Sequence, residues 1–308
     1  MRALVAIGKQ GKWVLPTGLL AALLFPSIAT RMQVAIGPLL VVLLVISFLQ
    51  INGRANEAWS DQLLRSVALI VCIQLIVPIV LLLLMRFMLV PLEWQIPVTL
   101  VAAASCITGG PSIVMMLGGN GMFSIRHLVV STLLLPITAL PVLALLPLYS
   151  STSMLFRTSI MLTLVVFGAY VVAKLIRTYV LRAYDLQQRQ CLDGLSAIFL
   201  ALIVLGLMAA IHTAWSTPAF LLTTLFWACV VNVALQVLGV VFNHLFSMDV
   251  PIVLGVMTGN RAVAIFLTAL PASSYQPFLL FIACYQIPMY LTPLLGSYFY
   301  KRFTDNAT

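Results

Sequence analysis

The 308-residue chain is 63% hydrophobic and 7% charged, with a mean hydropathy of +1.15. A soluble domain of this length has too little interior to hide so much apolar side chain, so a polytopic membrane protein is expected. The net charge of +9 sits in short loops beside apolar runs, where Lys and Arg set topology, so it does not point to nucleic acid.

Ten apolar runs follow in chain order, at about 13–29, 33–51, 66–88, 97–118, 123–147, 156–178, 194–212, 217–243, 248–271 and 276–299. Their lengths suit helices across ~30 Å of hydrocarbon, and their continuous character excludes barrel strands, which alternate over ~10 residues. The first run follows Arg2, Lys9 and Lys12. It has the outline of a signal peptide but is long for one, and reads as a retained helix. No connection is long enough to form a soluble domain.

The basic residues divide unevenly between the two sides. With the N-terminus lie Arg2, Lys9, Lys12, Arg54, Arg65, Arg126, Lys174, Arg177, Arg182, Arg189, Lys301 and Arg302; opposite lie only Arg31, Arg86 and Arg157. That bias places both termini in the cytoplasm, and an even number of spans agrees. The expected setting is a bacterial inner membrane, with the lipid bilayer as the chain's surroundings.

Metal and enzymatic chemistry find little support. Cys72, Cys106, Cys191, Cys229 and Cys284 show no C-x-x-C pair and no His spacing for a metal, and read as small packing residues. His127, His212 and His244 lie at span ends and read as interfacial. No His/Asp/Glu cluster falls within a run, so no catalytic residues, no metal and no cofactor are expected.

The two halves echo each other. Ile107-Thr-Gly-Gly-Pro-Ser-Ile-Val-Met-Met-Leu117 in the fourth run matches Met257-Thr-Gly-Asn-Arg-Ala-Val-Ala-Ile-Phe-Leu267 in the ninth, at an offset of 150. Pro136-x4-Pro141 in the fifth matches Pro288-x4-Pro293 in the tenth, at an offset of 152. Five spans per half make the repeats 1–150 and 151–308 inverted, a pattern of secondary transporters. Gly tolerates any backbone angle and Pro cannot donate to the helix ladder, so Thr108-Gly109-Gly110-Pro111 and Thr258-Gly259-Asn260-Arg261 are expected to unwind at mid-membrane. Unwound backbone at that depth must be buried in protein or line a cavity.

With these features the chain resembles the bile acid:sodium symporter family. The resemblance rests on the Gly109-Gly110-…-Ser112-…-Val114-Met115 run, Ser131-Thr132-Leu133-Leu134-Leu135-Pro136, Thr258-Gly259-Asn260-Arg261, and Gln74 followed by Pro78. It implies an all-α fold of ten transmembrane helices in two inverted five-helix repeats, with broken helices 4 and 9 crossing at mid-membrane. It implies a core of spans 3–5 and 8–10 and a panel of spans 1, 2, 6 and 7, between which a small organic anion moves by alternating access. It also implies sodium as coupling ion, and here the chain departs. On alignment at Gly259, Met257 stands where the family has a shared Glu, Arg261 stands where it has a Gln, and Ile113 replaces an Asn. Gln74 and Ser112 still match ligand positions, so Gln74, Ser112, Met257 and Asn260 form the candidate ion site.

Arg261 is the sharpest expectation. A guanidinium at mid-helix costs ~2.5–3.5 kcal/mol on insertion scales and keeps its proton. The seven acids, Glu57, Asp61, Glu93, Asp185, Asp193, Asp249 and Asp305, all fall in loops, tails or span ends. Three partners stay open: backbone carbonyls at the C-terminal end of a broken helix, a vacated sodium position, or an anionic substrate. Thr108, Gly109, Gly110, Pro111, Ser112, Thr258, Gly259, Asn260 and Arg261 are the candidate substrate-binding and crossing residues. A sodium ion ~4 Å from the guanidinium would be repelled by roughly 4 kcal/mol at an effective dielectric of 20. This argues against sodium, and leaves proton coupling or facilitated movement. Asn232 and Gln236, one turn apart, either face the crossing or act as interhelical glue. Two other functions remain. Arsenite exporters of the same superfamily use a Cys in the fourth span, and Cys106 precedes the break here; they also use an acidic residue in the ninth span, which this chain lacks. A receptor or scaffold could keep the fold without transport.

Overall fold

The computed structural model describes residues 11–50, 60–148, 152–179, 181, 186–270 and 275–304. Among the described residues the regular structure is helical, and the β-pairing is a single isolated bridge between Cys106 and Arg261. Six helices are long and apolar enough to cross a membrane: Leu64–Phe87, Gly121–Leu145, Thr152–Tyr179, Gln190–Ser216, Pro218–Leu245 and Leu279–Tyr300. The chain is a multi-pass helical membrane protein. Large apolar side chains such as Ile137, Leu164, Phe226 and Leu295 point outward, as lipid contact requires.

A seventh span forms if the pair Pro26–Gln33 and Ile36–Leu49, bent by 75°, is one crossing. Pro38 lacks the N–H that would bond the Val34 carbonyl, which favours a joint there. Gly206 lets a neighbouring helix approach this elbow: a Cβ on it would lie 2.9 Å from the Met32 carbonyl oxygen. The expected boundary between the first two runs is therefore moved. Gly11–Leu24 ends before Pro26, and the next helix starts inside the expected first run.

Two further expected runs are interrupted. The run at 97–118 is helix Leu92–Ala103, an irregular stretch over 104–109, and helix Gly110–Met116. This break starts earlier than the Thr-Gly-Gly-Pro motif, which lies at its end with Gly110 and Pro111 opening the next helix. The run at 248–271 is helix Pro251–Gly259 followed by a 3-10 turn, Val263–Thr268, in place of a second α-helix. Its break starts at Asn260, whose backbone is extended.

Helix Leu64–Phe87 contains a π-helical turn at Cys72–Ile76, where the Val77 N–H bonds the Cys72 carbonyl. Pro78 explains it: its ring would clash with the Gln74 carbonyl in a regular α-helix. Such wide turns often mark functional positions, and this one carries Gln74.

Helices Thr152–Tyr179 and Leu186–Leu207 pack on Ile36–Leu49, and the latter also packs on Gly11–Leu24 and Pro26–Gln33. Helix Pro218–Leu245 packs on Pro251–Gly259 and on Leu279–Thr304. Its contact with Pro251–Gly259 needs glycine on both sides. A Cβ on Gly239 would overlap the Leu254 carbonyl, and one on Gly259 would overlap the Gln236 side chain. Gly255, four residues before Gly259, is covered by the Tyr300 hydroxyl. Small residues at this spacing let backbones approach closely in a bilayer.

Several residues used in the sequence reading lie outside the described residues: Arg2, Lys9, Arg54, Glu57, Arg182, Asp185, Asp305, the 150/151 division and Pro271.

Candidate functional site

The two interrupted helices meet at their breaks. The Ile107 N–H donates to the Asn260 carbonyl at 2.9 Å, and the Ala262 N–H donates to the Ser105 carbonyl at 2.8 Å. These two bonds form the Cys106–Arg261 bridge. Unwinding frees backbone groups that the bilayer cannot satisfy, so each break must bond the protein around it. The bridge satisfies four such groups.

Arg261 satisfies two more. It is 1% exposed, the bulkiest of the fully buried side chains. Its Nε donates to the Thr258 carbonyl at 2.8 Å, and one terminal nitrogen donates to the Ala104 carbonyl at 3.0 Å. Thr258 lies in the last turn of Pro251–Gly259, and Ala104 caps Leu92–Ala103. Both oxygens therefore belong to helix C-termini, which carry partial negative charge and favour a cation. Two hydrogen bonds from a charged donor, at ~1.5–3 kcal/mol each, are enough to offset the insertion cost of the charge. Of the three partners left open by the sequence, the backbone carbonyls are present. The second terminal nitrogen is buried and without a hydrogen-bond partner. Among the described residues no carboxylate pairs with Arg261. Glu93 and Asp249 are exposed, and Asp193 accepts from Gln50 at 3.0 Å.

Polar side chains brace each break from neighbouring helices. At the first, Gln74 Nε2 donates to the Ser131 hydroxyl at 2.6 Å and reaches the Ala104 carbonyl at 3.5 Å, while the Thr138 hydroxyl donates to Gln74 Oε1 at 3.3 Å. The Cys106 N–H donates to the Ser131 hydroxyl at 3.1 Å. At the second, Asn232 Nδ2 and the Tyr285 hydroxyl both donate to the Gly259 carbonyl. Asn260 Oδ1 accepts from Asn232 Nδ2 at 3.4 Å and from Thr292 at 3.2 Å. Gln236 Nε2 donates to Asn232 Oδ1 at 2.7 Å. Asn232 and Gln236 thus face the crossing.

Ser131→Ala removes the hydroxyl on which Gln74 and the Cys106 N–H converge. The buried Cys106 N–H is then left unpaired, at an expected cost of ~1–3 kcal/mol, while Gln74 Nε2 keeps the Ser131 carbonyl at 3.2 Å. The thermal midpoint of the purified protein should fall by several degrees, more than for Ser297→Ala, whose exposed hydroxyl bonds only the Leu294 carbonyl of its own helix.

The candidate residues divide among three surroundings. Thr108 and Arg261 line one small cavity, together with Ser105, Cys106, Thr132, Gln286 and Tyr290. Leu40, Leu43 and Leu44 of one helix and Leu200 and Ile203 of another contribute apolar lining. The cavity volume is about 40 Å³, room for roughly three waters at ~10–15 Å³ each. Gly109 lies under Leu200, 3.0 Å from where its Cβ would sit, and Gly110 lies under the Met257 sulfur at 2.5 Å by the same measure. Pro111 is buried and Ser112 half-buried. Thr258, Gly259 and Asn260 lie in the second network, where the Thr258 hydroxyl and Asn260 Nδ2 lack partners.

Each of the four candidate ion-site residues already has its own surroundings, with Ser112 half-buried at the start of helix Gly110–Met116. Gln74 is held by Ser131 and Thr138, Asn260 by Asn232 and Thr292, and Met257 packs on Gly110. His127 is 3% exposed and stacks on Phe123, so its side chain packs against protein. It lies one turn inside helix Gly121–Leu145 on the buried face. His212 holds the Ala22 carbonyl at 3.0 Å. Among the described residues no His/Cys/Asp/Glu group gathers as a metal site, and all five cysteines are free.

Ser105, Thr132, Gln286 and Tyr290 are not recognisable in the sequence as a group. Single polar residues in apolar runs give no periodic signal, and only the breaks bring these four together. No protein-family model and no curated protein matches this chain.

Proposed function

We propose that the chain is a secondary transporter that moves a small organic anion across a bacterial inner membrane by alternating access. It is read as a divergent relative of the bile acid:sodium symporters, with ten spans in two inverted repeats and cytoplasmic termini. The interrupted segments 92–116 and 251–268 are the fourth and ninth spans. The elements packed around the two breaks form the core; those bearing Leu40, Leu43, Leu44, Leu200 and Ile203 form the panel.

One observation carries this reading: Arg261 is buried at the edge of a cavity, with one guanidinium nitrogen unpartnered. A cationic donor of that kind is suited to a carboxylate or similar oxyanion, through a charge-assisted hydrogen bond. Thr108, Thr132, Gln286 and Tyr290 supply further polar groups at the same cavity. The wall of leucine and isoleucine side chains in the lining suits an apolar remainder and must withdraw to admit it. Intramembrane cations commonly mark substrate pathways.

The test is flux of labelled monocarboxylates in proteoliposomes containing the purified full chain, with and without ion gradients. Saturable movement above protein-free vesicles is expected. Correctly folded protein that moves no anion under any gradient would refute the reading. Ligand binding without flux would select a receptor instead.

Cys106 offers a second measurement, because it is 1% exposed and lines the cavity. A small anionic methanethiosulfonate should label it when the wall opens, and a transported anion should slow that labelling. Cys106→Ser should abolish the protected fraction, since Cys284 is also buried but does not line the cavity.

A further inference from the structure

Sodium is the cation that the resemblance implies, and the donor set at the breaks does not fit it. A sodium site needs several oxygens left free to converge. Here the carbonyls at both helix ends are already taken by donors: Ala104 by Arg261 and Gln74, Thr258 by Arg261, and Gly259 by Asn232 and Tyr285. The side-chain oxygens of Gln74 and Asn260 accept from Thr138, and from Asn232 and Thr292. Two of the unpartnered buried atoms at the second break, on Asn260 and Arg261, are nitrogen donors, which repel a cation. Met257 supplies a thioether rather than a carboxylate, and its sulfur rests on Gly110.

We propose that the Arg261 guanidinium is a built-in substitute for a bound coupling cation, tying together the C-terminal ends of the two interrupted helices. A diffusible ion at such a crossing would neutralise two negative helix ends and hold them together. Arg261 makes one bond to each end, while the backbone bridge aligns the strands between them. The link is covalently part of the chain and is present at every ion concentration. Assembly of the crossing is therefore independent of sodium, potassium or lithium. Anion movement through it shares that independence, a consequence that rests on the transport reading above.

The experiment separates the two claims. The thermal midpoint of the purified full chain is measured without substrate in sodium, potassium, lithium or N-methylglucamine chloride at equal ionic strength. A ligand that binds only the folded state raises stability with its concentration, so a used cation site would reveal itself. Midpoints equal within about 1 °C are expected, where a site filled well above its dissociation constant would give a clear rise. A saturable rise specific to sodium would overturn the proposal. In Arg261→Gln the midpoint should fall and recover with methylguanidinium at millimolar concentration, but not with tetramethylammonium. An Arg261→Gln midpoint equal to wild type, with no response to methylguanidinium, would also overturn it. If that variant does not fold, Arg261→Lys keeps the test: it should fold and stay indifferent to sodium, and a sodium-dependent midpoint would count against the proposal. Absence of anion flux with cation-indifferent midpoints would refute the transport reading alone.

Discussion

Arg261→Gln is expected to reduce anion flux by about 100-fold or more, whereas Arg126→Gln should change it less than about threefold. Glutamine can reach one of the two carbonyls, Ala104 or Thr258, that the guanidinium now bonds together. The other becomes an unpaired acceptor in a buried site, and the substrate loses its cation. One charge-assisted hydrogen bond lost in each role, at ~1.5–3 kcal/mol, gives that range at ~1.4 kcal/mol per tenfold. Arg126 is half-buried near the start of helix Gly121–Leu145, away from the cavity lining. Flux in proteoliposomes at matched protein density is the measurement. Wild-type activity in both variants would remove Arg261 from the mechanism. Sodium-dependent flux appearing in Arg261→Gln would show that an ion can take over the vacated place.

The second large effect lies at Gly239. Gly239→Ala adds one methyl group against the Leu254 carbonyl, an atom of another helix's backbone that cannot rotate away. Helix Pro251–Gly259 must then move outward, carrying the second break with it. Overpacking of this kind typically costs ~1–3 kcal/mol, and loss of the network around Asn260 adds to it. Gly168→Ala provides the contrast. It lies in helix Thr152–Tyr179 with nothing within 4 Å of a new Cβ, so it should stabilise by ~0.5–1 kcal/mol through helix propensity. Thermal midpoints and the monodisperse fraction in detergent should move in opposite directions for these two substitutions. A lower midpoint for Gly168→Ala, or an unchanged one for Gly239→Ala, would contradict the packing described.

Of the ten apolar runs, hydropathy located six helices long enough to cross a membrane, or seven with the bent pair, because a bilayer forces long apolar runs into one conformation. It was less informative about where helices stop. The elbow after Gln33 depends on Gly206 as well as on the local Pro38, and the early end of Leu92–Ala103 on a contact with distant Arg261. Arg261 stood out in the sequence because a charge in an apolar run has a known cost. The Ala104 carbonyl did not, because backbone acceptors are identical at every position until a helix ends. His127 shows a related limit: its place near a helix start gives no sign of which way it faces, and the side chain packs inward against Phe123. Gly239 and Gly259 could be read as ordinary small residues, since only packing shows which glycines touch backbone.

The permanence of the Arg261 charge has an energetic consequence for the proposed transporter. A cation that never leaves its site cannot draw work from an ion gradient. Without proton coupling, the remaining driving forces are the concentration difference of the anion and the membrane potential. One elementary charge moved through 100 mV is worth ~2.3 kcal/mol, or roughly a 50-fold concentration ratio. With the cell interior negative, an unaccompanied monoanion would run outward by that factor. A carrier with neither sodium nor proton coupling would serve as a relief route for an accumulated metabolic anion, and would concentrate nothing from outside.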